Sequence, residues 1–149
     1  MIEIHDLDGR DPQETLKPLV DRADLLFLTE EEAGLLLGGS DEESIQQVRQ
    51  KMRAETVVVH RADGAVAVED GGFTEKEGNS VEVVDTVGAG EAFVAGFLSG
   101  RLRGWKTEDC LGLANACRAC AVNVPGDMRG LPTADEALVL LRGHPEAER

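Results

Sequence analysis

Lysine is scarce in this chain. Only four of its fifteen basic residues are lysines, against twenty-nine acidic residues, and the formal net charge is −14. A surface so short of positive charge lacks the basic footprint that general nucleic-acid binding needs. It does not exclude a nucleotide, because backbone amides and Mg²⁺ can hold phosphates. Aromatic residues make up 3% of the chain, so the core must be built mainly from Val, Leu, Ala and Ile. No apolar run reaches the roughly eighteen residues of a membrane-spanning helix, so no membrane partner is expected. The opening Met1-Ile2-Glu3-Ile4-His5-Asp6 lacks the basic and apolar regions of a secretory leader. With three cysteines, Cys110, Cys117 and Cys120, the expected compartment is a reducing cytoplasm. Cys117 and Cys120 have CxxC spacing, but metal binding would need further ligands, and small buried side chains are the better reading.

What is present is a domain's worth of chain, 149 residues with 42% apolar content, enough to bury a sizeable core. Ile2 to His5 alternates as a short strand. Pro12 can open a helix to about Arg22, with Leu16, Leu19 and Val20 on one face. Leu25 to Leu28 reads as a strand covered on both sides. Thr29 and Glu32 have the spacing of a capping box for a helix to about Leu37, stopped by Gly38-Gly39. Ser40, with Glu43 as its partner, is expected to cap a helix to about Ala54 that turns Ile45, Val48 and Met52 inward. Thr56 to His60 and Ala65 to Glu69 form strands around the turn Ala62-Asp63-Gly64. Phe73 to Asn79 reads as a polar loop, and Ser80 to Val84 as a strand. Helices follow over about 88–103, ended by Gly104, over 107–122, capped by Thr107 with Leu111, Ala114, Cys117 and Ala121 as a stripe, and over 134–142, capped by Thr133 with Glu136. The polar tail to Arg149 is expected to fray.

Strands alternating with helices predict an α/β sheet, largely parallel, with one antiparallel hairpin near residues 57 to 69. Ligands of such sheets bind at the carboxyl ends of strands. Thr29, His60 to Gly64, and Asp85 to Glu91 all fall at expected strand ends, so three segments point to one crevice.

The most informative segment is Val83 to Leu98. An apolar run enters the Gly-rich turn Gly88-Ala89-Gly90, and a helix with small inner residues follows. Such a turn lets backbone N–H groups converge on an anion, and the helix start adds partial positive charge. Glu91 sits in the first turn of that helix. By spacing alone, a tight turn serving close helix packing fits as well.

The string Asp85-Thr86-Val87-Gly88-Ala89-Gly90-Glu91-Ala92-Phe93 resembles the signature Asp-Thr-x-Gly-Ala-Gly-Asp-Ala-Phe of the ribokinase-like, or PfkB, carbohydrate kinases. Further matches follow the family order: the opening segment resembles Asp-Leu-Asp-x-Arg, Leu25 to Leu37 the Asn-x-x-Glu region, Val57 to Ala65 the nucleotide-loop strand, Leu113-Ala114-Asn115-Ala116 the helix beside the adenine, and Gly130-Leu131-Pro132-Thr133 the Gly-x-Pro-Thr segment. The resemblance implies a three-layer α/β/α, Rossmann-like sheet, mostly parallel with a β-hairpin. It covers the C-terminal part of the kinase domain, without the N-terminal half and lid.

The resemblance also implies ATP-dependent phosphoryl transfer to a sugar or nucleoside hydroxyl, or else a catalytically impaired nucleotide-binding module. Gly88, Ala89 and Gly90 would offer amides to the phosphate, and Glu91 would act as the base. Glu32 would organise Mg²⁺ through its water shell. Thr29, Val59, Arg61, Gly64 and Asn115 would border the nucleotide. Asp85, Val87, Ala121, Val124, Gly126 and Gly130 would hold a monovalent cation such as K⁺. Three positions depart from the family. Glu91 replaces an Asp, Thr29 replaces an Asn, and Arg61 replaces a Gly, where its bulk would clash with ATP or its charge would pair with phosphate. A sheet edge left bare by the absent half would call for a dimer or for a partner that covers it.

Overall fold

The computed structural model describes residues 10–52, 54–70, 72–126 and 128–141. The expected strand Ile2–His5 and the tail beyond 141 lie outside them, as do the side chains of Val48 and Met52. The chain divides into two compact units, with the boundary between Glu75 and Lys76.

The first unit carries α1 (Pro12–Val20), β1 (Leu25–Thr29), α2 (Glu30–Leu37), α3 (Glu42–Met52), β2 (Thr56–His60) and β3 (Gly64–Glu69). The sheet order is β1-β2-β3-β4, with β4 spanning Gly72–Glu77. β1 runs parallel to β2, with Leu28 opposite Val59 and Thr29 opposite His60. β2 and β3 form the expected antiparallel hairpin, with Val59 opposite Val66. This is an open, mixed sheet of the α/β class. Val57, Val59, Val66 and Val68 are fully buried and meet Ile45, Leu28, Leu36 and Leu16 in one cluster. Leu16 and Val20 form the inner seam of α1, whereas Leu19, expected beside them, is 58% exposed. The i, i+4 pair defines that seam, and a nine-residue helix has no wider apolar face.

Thr29 caps α2 as its spacing predicts, and Gly38 closes that helix in the left-handed conformation at φ 80°. The cap of α3 is Asp41 and not Ser40: Asp41 Oδ1 accepts the Ser44 N–H at 3.0 Å, while Ser40 Oγ donates to Glu30. An ionised carboxylate is the stronger acceptor for a helix N-terminus. Two further expectations are corrected around the next turn. Phe73 to Glu77 is a strand and not a loop, because pairing at the rim of a sheet tolerates polar residues on both faces. Ser80 to Val84 is not a strand. The N–H groups of Val84 and Asp85 donate to Val122 O at 2.8 and 3.2 Å, and Val83 and Val84 are exposed. Their donors close a helix end and do not enter a ladder.

The second unit holds α4 (Ala89–Leu102), α5 (Thr107–Val122) and α6 (Ala134–Leu141). Phe93, Gly96, Phe97 and Gly100 form the buried face of α4 at i, i+3, i+4, i+7 spacing. α5 is buried on more than the expected stripe, from Cys110 continuously to Ala116. Gly96 makes the α4–α5 approach possible: a Cβ there would lie 2.8 Å from Ala114 Cα and 2.9 Å from Leu113 O. Thr107 is not the cap of α5. Lys106 holds that position, and Thr107 is the first helical residue, with its side chain turned into the core. Thr133 and Glu136 do form the expected box at α6, the Glu136 carboxylate accepting the Thr133 N–H at 2.7 Å.

Candidate functional site

The candidate residues fall into two groups, one in each unit. In the second, Asp85 organises the turn before α4. Its Oδ1 accepts the Val87 N–H at 3.1 Å, and its Oδ2 accepts the Gly126 N–H at 2.9 Å. These two amides, Gly126 first, hold its carboxyl below the usual carboxylate range. Gly88 follows with φ 78°, a left-handed conformation that suits glycine, and stands at the N-cap of α4 with no side-chain cap bond. The Ala89 N–H turns back to Thr86 O, and regular helical bonding begins with Ala92 N–H to Gly88 O. The first-turn amides before Ala92 have no intrahelical acceptor of their own. Glu91, exposed, stands among them. Helix-start amides of this kind are the groups an anion would meet, and the Glu91 carboxylate stands beside them.

The loop after α5 closes against this turn. Gly130 packs so tightly that a Cβ would lie 2.7 Å from Ala121 O and 2.7 Å from Val124 Cγ2. Asp85, Val87, Ala121, Val124, Gly126 and Gly130 are thus drawn into one neighbourhood. Among the described residues, no group of three or more His, Cys, Asp and Glu is placed to hold a metal ion.

Asn115 lies apart from that turn. It is 1% exposed, and its amide donates to the carbonyls of Lys76 and Glu77 at 3.2 and 3.1 Å. Its side chain therefore ties α5 to the end of β4, and a ligand reaching it would compete with those bonds. The cysteines of α5 are free thiols, Cys110 buried and the other two half-buried. Burial, and then the neighbouring Cys120, push the Cys117 thiol up to about 11. It is protonated at neutral pH and packs as a small apolar group.

In the first unit, Thr29 and Glu32 are bonded to each other. Glu32 Oε2 accepts the Thr29 N–H at 2.8 Å, and Thr29 Oγ1 accepts the Glu32 N–H at 3.1 Å. One oxygen of Glu32 thus serves its own helix. Val59 is fully buried in the core, so its side chain does not border a ligand and only its backbone remains for one. Gly64 O accepts the Arg61 N–H at 2.8 Å and closes the β2–β3 turn.

Arg61 has partners its position in the sequence does not reveal. Glu75 lies 3.1 Å from Nη1, Glu30 lies 3.9 Å from Nε, and Nη2 donates to Ser40 O. Glu30 and Glu75 come from α2 and β4. The only sequence signal for Glu75 was its place in a segment read as a loop.

Comparison with known proteins shows the family. Residues 4–134 match the model of the pfkB family carbohydrate kinases. The chain belongs to that family. It is 35% identical over 109 residues to a cytidine kinase of Thermococcus kodakarensis, a match covering 70% of this chain and 39% of that protein. It is 37% identical over 126 residues to a 2-dehydro-3-deoxygluconokinase of Bacillus subtilis, covering 82% of this chain and 38% of that one. Among solved structures it resembles an Escherichia coli protein provisionally called ribokinase II, in complex with ATP and Mg²⁺. The TM-score is 0.82 at 28% identity, over 91% of this chain and 44% of that one. The chain of this PfkB-family protein therefore spans well under half the length of these relatives. No described helix of it is long and apolar enough to cross a membrane.

Proposed function

We propose that this chain is the ATP-binding, C-terminal part of a kinase domain that transfers the γ-phosphoryl group to a sugar or nucleoside hydroxyl. The observation that carries the reading is the start of α4. Gly88 is left-handed and uncapped, the turn is pinned by Asp85, and Glu91 stands in the first turn. Phosphoryl transfer asks mainly for alignment and charge neutralisation. The amides of Gly88 and Gly90 would stabilise the charge that develops on the transferring group, and that of Ala89 would join them only on leaving Thr86 O. Glu91 would take the proton from the attacking hydroxyl, a role worth about 10²–10⁴ in rate. Glu32 Oε1 would bind a water of hydrated Mg²⁺, which supplies charge neutralisation when bound. Thr29 and the backbone around Val59 and Gly64 would border the nucleotide. The carbonyls from Asp85 to Gly130 would hold a monovalent cation that stiffens the anion turn.

A second reading is a nucleotide-binding module with impaired chemistry. It is favoured by Glu91 standing where the family signature has Asp, which moves the carboxylate outward by roughly 1.5 Å. Titration calorimetry with MgATP, paired with an ATP-consumption assay over a panel of sugars and nucleosides, separates the two. Binding with acceptor-dependent consumption supports the kinase. Binding without consumption supports the module, and absence of binding overturns both.

A further inference from the structure

Arg61 is the one departure at the carboxyl end of β2 whose side chain reaches three other segments. Its guanidinium is planar, with donors in a fixed fork. Its two terminal nitrogens are hydrogen-bonded, Nη1 to the carboxylate of Glu75 and Nη2 to the carbonyl of Ser40, while Nε lies 3.9 Å from the carboxylate of Glu30, at ion-pair and not hydrogen-bond distance. Ser40 Oγ in turn donates to Glu30 Oε1 at 3.2 Å, so two of the partners are joined. The Arg61 side chain is 19% exposed, against 58% and 59% for the two glutamates. The cation is thus the covered member of the cluster, and the carboxylates face water. An arginine waiting for a phosphate would present an open two-donor edge. Here a carboxylate and a carbonyl already accept from the two terminal nitrogens, and a second carboxylate stands at ion-pair distance.

We propose that Arg61 is a positioning residue. Its clamped guanidinium holds the β2–β3 turn to the start of α2 and to the α2–α3 loop, and it does not itself bind phosphate. This rests on the nucleotide-binding reading above and adds how this chain keeps that rim in place. The elements it joins are those of Thr29, Glu32 and Gly64. The backbone N–H of Arg61 closes the turn on Gly64 O, so the same residue fixes the turn from both sides. Lysine cannot replace the fork, because a point charge cannot face three separate partners in one plane.

The test is a double-mutant cycle read by MgATP calorimetry on the whole chain. Its corners are the wild type, Arg61→Ala, the paired Glu30→Gln/Glu75→Gln, and all three changes together; Arg61→Lys is measured beside it. The Arg61→Ala background removes the general effect of deleting two negative charges. If Arg61 positions the turn, Arg61→Ala and Arg61→Lys both weaken MgATP binding, by roughly three- to ten-fold. The glutamate changes are then less favourable to binding in the wild type than in the Arg61→Ala background. Coupling of the opposite sign, in which the glutamate changes tighten binding only when Arg61 is present, or zero coupling, overturns the proposal. A wild type that takes no nucleotide refutes the functional reading, and amide exchange then judges Arg61 separately. Faster exchange of the residue 61 amide in both Arg61→Ala and the paired Gln variant supports the clamp. Unchanged exchange in either overturns it.

Discussion

The carboxylate of Asp85 accepts the backbone N–H of Gly126 at 2.9 Å, across forty-one residues of chain. Its other oxygen accepts the Val87 N–H at 3.1 Å. One side chain therefore joins the turn before α4 to the loop after α5.

The pH dependence of stability follows from that contact. The amides of Gly126 and then Val87 lower the Asp85 carboxyl. A depressed folded value means that the contribution is fully present above the unfolded value, about 3.9, and is lost as pH falls through the folded value. Thermal midpoints of wild type and Asp85→Asn, measured from pH 7 to pH 2, should differ by a constant amount above about pH 5 and converge at the acid end. Parallel curves to pH 2 would refute the assignment.

Glu91 is tested by shortening it. Glu91→Asp returns the carboxylate to the position of the family signature, and a shift near 1 Å is worth on the order of 10² in rate. Acceptor-dependent ATP consumption should rise by about that factor, and Glu91→Ala should abolish it. Equal rates in all three proteins would remove Glu91 from the proposed chemistry.

Glu32 carries two roles that substitution can separate. Gln preserves the capping box, so Glu32→Gln should leave urea stability nearly unchanged while weakening Mg²⁺-dependent nucleotide binding. Thr29→Ala breaks the box from the other side and should cost about 1 kcal/mol. A Glu32→Gln protein that binds MgATP as tightly as the wild type limits Glu32 to its helix.

Gly96 sets the distance between α4 and α5. A Cβ at 2.8 Å from Ala114 Cα and 2.9 Å from Leu113 O meets backbone, which cannot swing aside. Gly96→Ala should destabilise by about 1–3 kcal/mol, measured by chemical denaturation, despite the better helix propensity of alanine. A gain in stability would contradict the observed packing.

Local devices were legible before the structure. The boxes Thr29–Glu32 and Thr133–Glu136, the left-handed stop at Gly38, the hairpin around Ala62 to Gly64, and the start of α4 near Gly88 all depend on residues within a few positions of one another. The errors share the opposite property. Phe73 to Glu77 becomes a strand because of the sheet it joins, and Ser80 to Val84 fails to because its amides go to Val122. The cap fell to Asp41 because two adjacent candidates competed for one helix start.

By itself, then, the sequence determined the family, the α/β alternation, and the candidate residues Glu91, Glu32 and Asp85 at their turns. These follow from short-range chemistry and an ordered string of motifs. Only the tertiary structure decided what those residues touch. It placed Val59 in the core and pinned Asn115 to the backbone of Lys76 and Glu77. It also surrounded Arg61 with groups from α2, the α2–α3 loop and β4. The reason is physical: a side chain's partners are set by which distant segments fold against it, and a desolvated donor takes the acceptors found there.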